Sequence, residues 1–521
     1  MSSMDRRRFL LATAATAALP TLRSFAQATT IATLKLHSDA TGPRIPDNFI
    51  GLSYETNELT DPGFFSIENT GLIAQFRALA PNGVLRIGGN TSDIGYWKPT
   101  PTTPAPTIHV GGTGVGEPTS ALAFSITPEA IHNLRAFLDR TGWTCIYGIN
   151  LGTNTPGRAA QEAEYVARTL GFVHDTPAHG KLEYFQIGNE PDLFRTHLRD
   201  PKTWSPELYM DEWLDEANAI RAVVPAARFG LPDTSGSPEW YAAIVTRLLS
   251  LSDPPAIAAL THHYYIGGPP SNPDMTIDHI LAPNPRVGKL AVDIRTAAAR
   301  LSAGAPGSSG QAHKTVPYRM TEGNTCYRGG KPGVSDVFAA SLWAADYFLY
   351  LATNGYAGVN LHGGSSKYVA ASLGGHLPGD DLVTAAHGDP STHPHPSTHP
   401  HPYYTPIASM GDTYVLEPVA YGMLFAGHFA GATSFPIDFN PGSVNATAYA
   451  ATLPTGQRIV ALINKDAHQS LNLDLPNYRQ GPILTAPALD STHVTLAEPS
   501  GNHELSTLPP ATAVLLYDSR P

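Results

Sequence analysis

From residue 50 to residue 362, short apolar runs that end in polar residues alternate with longer stretches whose apolar positions recur every three to four residues. The short runs lie at 50–55, 84–90, 145–150, 182–190, 228–231, 258–265, 316–322 and 358–362, and they read as buried strands. The stretches between them read as helices. Thr127-Pro128-Glu129 opens one with a capping threonine and a proline in the first turn, and Ile131, Leu134, Phe137 and Leu138 then recur at helical spacing. Further helices are predicted over 160–170, 206–224, 240–251, 287–301 and 337–351. Eight strands separated by helices, with polar residues at the strand ends, predict a (β/α)8 TIM barrel.

Beyond residue 430 the pattern changes. Short apolar runs at 447–453, 458–463, 471–475, 483–485 and 513–517 are split by Gly, Pro, Asn and Asp, the spacing of an antiparallel β-sandwich. A loose strand near Leu34 precedes the barrel and is expected to pair into this same sandwich. The chain thus divides into residues 29–45 and 431–521, which form the sandwich, and a barrel over 46–430. A low-complexity insert at 386–403 interrupts the barrel. It contains a tandem repeat, Ser391-Thr392-His393-Pro394-His395-Pro396 followed by Ser397-Thr398-His399-Pro400-His401-Pro402, whose alternating prolines favour an extended, solvated chain.

With 521 residues, one large domain plus a smaller one is the default, and 47 Gly with 47 Pro provide for many turns. Residues 1–28 have a basic head at Arg6-Arg7-Arg8, an apolar middle and the small-residue site Ala26-Gln27-Ala28, the pattern of an export leader. The paired arginines followed by Phe9-Leu10 resemble the twin-arginine type, which implies bacterial export of a folded protein to the periplasm or medium. The apolar run is shorter than the ~20 residues of a membrane span. Cleavage removes four Arg and one Asp, and the net charge moves from −11 to −14. That surface repels nucleic acid and polyanionic polymers. Two cysteines, Cys145 and Cys326, exclude a disulfide framework and read as buried free thiols.

The candidate chemistry begins where the fourth strand stops. In Ile187-Gly188-Asn189-Glu190-Pro191, the glycine permits unusual dihedrals and the proline cannot continue a ladder. Asn189 and Glu190 then stand at the C-terminal lip, where a parallel barrel mounts its reactive groups. A carboxyl beside an amide that can hold a sugar hydroxyl suits acid-catalysed glycoside cleavage. Taken alone, Asn-Glu-Pro reads equally well as a loop glutamate capping the next helix. Glu322 ends the predicted seventh strand. Retaining glycosidases need two carboxyls about 5–5.5 Å apart, which the lips of strands four and seven can supply.

Here the sequence resembles the clan A glycoside hydrolases, which carry Asn-Glu on strand four and Glu on strand seven. More narrowly it resembles glycoside hydrolase family 79, the β-glucuronidase and heparanase family, over essentially the whole mature chain. Leu85-Arg86-Ile87-Gly88-Gly89-Asn90, Gly148-Ile149-Asn150-Leu151-Gly152 and His262-His263-Tyr264-Tyr265 match its motifs on strands two, three and six. After Glu322, Tyr327 and Gly329-Gly330 fall where the family binds the sugar's carboxylate, and His362 and Tyr368 fall in a region also used for the sugar.

The resemblance implies a retaining exo-β-glucuronidase with a carbohydrate as its partner and neither nucleic acid nor membrane. No metal, nucleotide or phosphate motif stands in the sequence, so no cofactor is expected. Glu190 is the expected acid/base and Glu322 the nucleophile. Asn189 would hold the 2-hydroxyl, and Glu55 and Asn90 the 3- and 4-hydroxyls. Arg86 would favour ionised Glu322 or form a structural ion pair, and Tyr265 would orient Glu322. His263 and Tyr265 are both open between a site role and barrel packing, and Gly329-Gly330 between carboxylate binding and a plain turn. Other clan A activities (β-xylosidase, arabinofuranosidase, an endo-acting heparanase-like enzyme) and a non-catalytic carbohydrate-binding protein are the alternatives.

Overall fold

The computed structural model describes residues 32–106, 124–304, 315–387, 401–411, 413–473, 475, 477–499 and 505–519. The expected leader, residues 1–28, and residues 388–400 of the expected insert lie outside the described residues.

Eight parallel strands close a barrel in sequential order. They are β1 (Ile50–Glu55), β2 (Val84–Gly88), β3 (Thr144–Ile149), β4 (Leu182–Ile187), β5 (Arg228–Thr234), β6 (Ala256–Gly267), β7 (Tyr318–Cys326) and β8 (Val359–Gly363). Alternation decides what each strand offers the interior. On β2, Leu85 and Ile87 face the helical layer, whereas Val84 joins Ile146, Tyr184, Ala258 and Ala259 in a small apolar cluster of its own. Arg86, on the same side as Val84, stands one layer nearer the lip. Helices Pro128–Thr141, Pro156–Leu170, Pro206–Val223, Pro285–Ala303 and Pro418–Gly427 each begin with proline, whose fixed φ suits a first turn that needs no N–H donor. Thr127, Ser205 and Asn284 cap three of them by accepting from backbone N–H groups.

The structure corrects two strand ends. Glu322 does not end its strand, because β7 continues to Cys326, and the ladder slips register between Met320 and Glu322. The irregularity lets Thr321 and Glu322, though adjacent, both bond groups of one site. β5 does not stop at Leu231; it runs through Pro232 to Thr234.

The C-terminal region forms a six-stranded antiparallel sheet in the order Thr433–Ser434, Ala446–Thr452, Arg458–Asn464, Thr512–Asp518, Tyr478–Thr485, Thr495–Ala497. Ile459, Ala461, Ile463, Ala513 and Leu515 belong to the barrel's core cluster. The alternate residues Val460, Leu462, Val514 and Leu516 pack in a second core. That core is closed by two ribbons, Thr33–Leu36 with Ile437–Asn440 and Leu471–Asn472 with Thr507–Leu508. Helix Phe338–Thr353 lies between barrel and sheet and is buried along most of its length. Its Asp346 accepts bonds from Thr447, Tyr449 and Lys465 of the sheet. Both cysteines are buried and free. Among the described residues, no helix is long and apolar enough to cross a membrane.

Candidate active site

The lip of the barrel opens into a cavity of about 670 Å³ lined by Glu55, Asn90, Glu190, Tyr265, Glu322, Tyr327, His362 and Tyr404, among others. Glu190 stands just past β4 in the left-handed region, with φ 46° and ψ 54°, and its N–H donates to the Asp233 carbonyl at 3.0 Å. The strain of a non-glycine residue there is held by its neighbours. Asp93 is one of them. It accepts from the Asn189 N–H at 2.9 Å and from the Leu151 and Gly152 N–H groups at 3.0 Å, tying the loops after β2, β3 and β4 together.

Arg86 is the keystone beneath the site, 1% exposed. Its five N–H donors go to Gln186 at 3.1 Å, Ser53 at 3.1 Å, Glu322 at 2.7 Å, Asn189 at 2.9 Å and Asp233 at 3.0 Å. A side chain at Gly88 would put its Cβ 2.2 Å from the guanidinium carbon, so that glycine is needed for the arginine to fit. The bond to Arg86 also settles the Asn189 amide: Oδ1 faces the arginine, and Nδ2 donates to Asn90 Oδ1 at 3.3 Å; Asn189 is buried and does not itself line the cavity.

The two carboxyls are pushed apart in acidity. Burial opposes ionisation of Glu322, but the charges of His362, His263 and Arg86 and the Tyr265 hydroxyl, which donates at 2.9 Å, outweigh it and bring the group down to about 2. Burial, followed by the negative charges of Glu322 and Asp192, raises Glu190 above the ordinary carboxyl range against the pull of His263. One oxygen from each carboxylate and a His263 ring nitrogen lie within 4.8 Å of one another. That spacing also suits a cation, but Arg86 and His263 already bring positive charge to both carboxyls.

The other expected residues divide into two groups. Glu55, Asn90, Tyr265, Tyr327 and His362 line the cavity with the two carboxyls. Glu55 accepts from the Thr91 N–H and hydroxyl, and its other oxygen is 3.6 Å from His362. Arg86 and His263 do not line it. The arginine has no donor to spare, and His263 is fully buried against Glu190 at 3.0 Å, so both support the carboxyls from below. Gly329, Gly330 and Tyr368 do not line it either. A Cβ on Gly330 would stand 2.7 Å from the Tyr404 backbone nitrogen and one on Gly329 would stand 3.1 Å from Leu377, so these glycines pack a loop against its neighbours. The Tyr368 side chain is buried and its carbonyl accepts from Asn57. Gly329→Val, at φ +93°, is therefore expected to depress hydrolysis of an aryl glucuronide and an aryl xyloside equally in parallel assays, by deforming the loop.

The sequence reading missed Asp233, Asp93, Tyr404, Arg286 and Arg328. The fifth strand was expected only over 228–231, which left Asp233 outside it. Tyr404 directly follows the 386–403 insert. The ends of the insert belong to the fold: residues 378–387 are helical, and His401, which closes the repeat with Pro402 and was expected to be solvated, is buried, as is Tyr403.

No protein-family model matches the chain. It is 26% identical over 318 residues to a β-glucuronidase of Aspergillus niger, covering 59% of this chain and 55% of that protein. It is 26% identical over 379 residues to a β-glucuronidase of Neurospora crassa, covering 66% of this chain and 62% of that protein. The chain thus spans less than two thirds of the length of either curated relative. Among solved structures, a 4-O-α-L-rhamnosyl-β-D-glucuronidase from Fusarium oxysporum is 16% identical with a TM-score of 0.60, covering 91% of this chain and 97% of that one. A family 51 arabinofuranosidase from Xanthomonas axonopodis is 20% identical with a TM-score of 0.61, covering 94% and 99%. This chain therefore has the (β/α)8 barrel with an appended β-domain found in these glycosidases.

Proposed function

We propose that the chain is a retaining exo-β-glucuronidase of a family 79-like type, with Glu190 as acid/base and Glu322 as nucleophile. The observation that carries this reading is the pair of carboxyls at the barrel lip. Their oxygens lie within 4.8 Å, near the ~5–5.5 Å of retaining enzymes and short of the ~6.5–9.5 Å that an inverting enzyme leaves for water. Their acidities are shifted in the opposite directions that the roles need, Glu190 upward by burial and Glu322 downward by the surrounding cations.

In the first step the Glu190 proton passes to the glycosidic oxygen as its bond to C1 breaks, and a Glu322 oxygen bonds C1. In the second, water attacks C1 and gives its proton to Glu190, and the pair of electrons in the C1–Glu322 bond returns to the carboxylate. Asn189 Nδ2 would donate to the 2-hydroxyl, and Glu55 and Asn90 would hold the hydroxyls farther round the ring. The uronate rests on the two relatives named above and on the cations of the cavity wall, Arg286 and Arg328, beside Tyr327.

Assaying aryl β-glucuronide, β-xyloside, β-glucoside and α-arabinofuranoside side by side tests the substrate class. The glucuronide should be turned over fastest, and a faster arabinofuranoside would move the reading to that activity. Glu190→Ala should hydrolyse activated aryl glucuronides slowly and recover with azide, which needs no general base; no recovery in a folded variant would remove Glu190 from the role. Export by a twin-arginine leader belongs to the same proposal. Replacing Arg6 and Arg7 with lysine should retain the precursor in the cytoplasm of a bacterial host, and fractionation showing normal export would refute it.

A further inference from the structure

Below the two carboxyls lies a third, Asp233, 1% exposed at the end of β5 and held at φ 54°. It touches both halves of the site. Oδ2 accepts from Arg86, the cation on Glu322, at 3.0 Å. Oδ1 accepts from the Thr321 hydroxyl and lies 3.6 Å from His263 Nε2. The other ring nitrogen of that histidine, Nδ1, is 3.0 Å from Glu190 Oε1. Asp233, His263 and Glu190 therefore form a line, and the Asp233 carbonyl closes it by accepting the Glu190 N–H. Nothing in the mechanism so far uses this carboxylate.

We propose that Asp233 is a positioning residue that keeps His263 doubly protonated while Glu322 is esterified, so that Glu190 is left ionised to take the proton from water. The inference rests on the assignment of Glu190 and Glu322 given above. Three consequences of the geometry support it.

The first concerns the resting site. An imidazolium donating through Nδ1 to Oε1 leaves Oε2 as the Glu190 oxygen that carries the acid proton. The second is charge balance. Arg86 and His263 as cations offset Asp233 and Glu322 as anions, with Glu190 neutral. When Glu322 becomes an ester, one positive charge is left over, and Glu190 restores the balance by giving its proton to the departing oxygen. The third concerns what remains in the intermediate. Glu190 and His263 then share one proton across the 3.0 Å contact, and the Asp233 anion on the far side of the ring draws that proton to the imidazole.

The groups facing the ring are Glu190 beyond β4, Asp233 on β5, Glu322 on β7 and, through these, Arg86 on β2. In the free site burial works against the imidazolium, yet Glu322, Asp233 and Glu190 raise its pKa to about 10; once Glu322 is an ester its share is gone, and Asp233 and Glu190 are the anions left facing the ring. His262, next along β6, turns to the Tyr356 hydroxyl, and burial lowers it to about 4, so it is neutral and adds no charge.

The full-length enzyme labelled with ¹⁵N-histidine, trapped with a 2-deoxy-2-fluoro-β-glucuronosyl fluoride, provides the test. Failure to trap, or trapping at a residue other than Glu322, would defeat the assignment on which the inference rests. Trapping on Glu322 followed by a neutral His263 signal at pH 7, assigned by its loss in His263→Gln, would overturn the inference alone. The expected result is an imidazolium signal that persists from pH 6 to 8. Asp233→Asn should leave the burst from a dinitrophenyl glucuronide near the wild-type amplitude. Its steady-state kcat at pH 6 should fall about tenfold or more, the equivalent of one pKa unit at Glu190, and azide should restore it. Equal loss of burst amplitude and steady state, without azide recovery, would mean a structural role only. If Asp233→Asn does not fold, the histidine signal of the trapped wild-type enzyme decides.

Discussion

Glu322→Gln is expected to abolish turnover of every glycoside tested while leaving the protein folded. The amide fits the existing contacts: its carbonyl oxygen can accept from Arg86 and its N–H₂ can donate to the Tyr265 hydroxyl oxygen. It cannot form the ester, so the double displacement has no first step. The loss should be roughly 10⁴-fold or more, as when a nucleophile acting as a unit with its partners is removed. Stopped assays on protein purified from a host lacking glucuronidase, with circular dichroism for the fold, check it. Retention of more than a few per cent of activity would remove Glu322 from the role.

The second large effect should fall on stability. Arg86→Leu leaves Glu322 and Asp233 buried without their cation, together with the Asn189 carbonyl, the Gln186 carbonyl and the Ser53 hydroxyl that the guanidinium satisfied. Breaking a buried ion pair by removing one partner costs about 3–5 kcal/mol. That is a large share of the roughly 5–15 kcal/mol by which proteins are stable. Urea unfolding should show the midpoint falling accordingly, and an unchanged midpoint would contradict the keystone role. Arg86→Lys should fall between the two, because an ammonium has three donors for five acceptors.

The barrel was legible in the sequence because its strands are buried on both faces and its helices open on capping residues and prolines. Both signals are local. Glu190, the proposed acid/base, was legible for a related reason: Gly188 and Pro191 break the chain around it, whereas Glu322 lies inside a strand that continues to Cys326. What escaped was whatever depended on neighbours remote in sequence. Arg86 was open between favouring ionised Glu322 and a structural ion pair; its five donors, spread over acceptors from β1, β4, β5 and β7, make it both. His263 was undecided because one ring nitrogen faces Glu190 and the other faces Asp233, which comes from a different strand. Gly329 and Gly330 carried the resemblance well, yet their close approach is to Leu377 and the Tyr404 backbone, partners that only the folded loop brings near.

Helix Phe338–Thr353 joins barrel and sheet as a shared wall. Trp343 and Tyr347 stack with centroids 5.0 Å apart on that helix, and Asp346 is pinned to three residues of the sheet. Neither half has a water-facing side there to fall back on. Cutting the chain between them would strip cover from an already continuous apolar core. The molecule should therefore melt as one cooperative block, with a single calorimetric transition and tryptophan fluorescence tracking loss of the sheet. For anyone engineering the chain, the sheet is then a structural part of the barrel that cannot be trimmed or exchanged as a cassette.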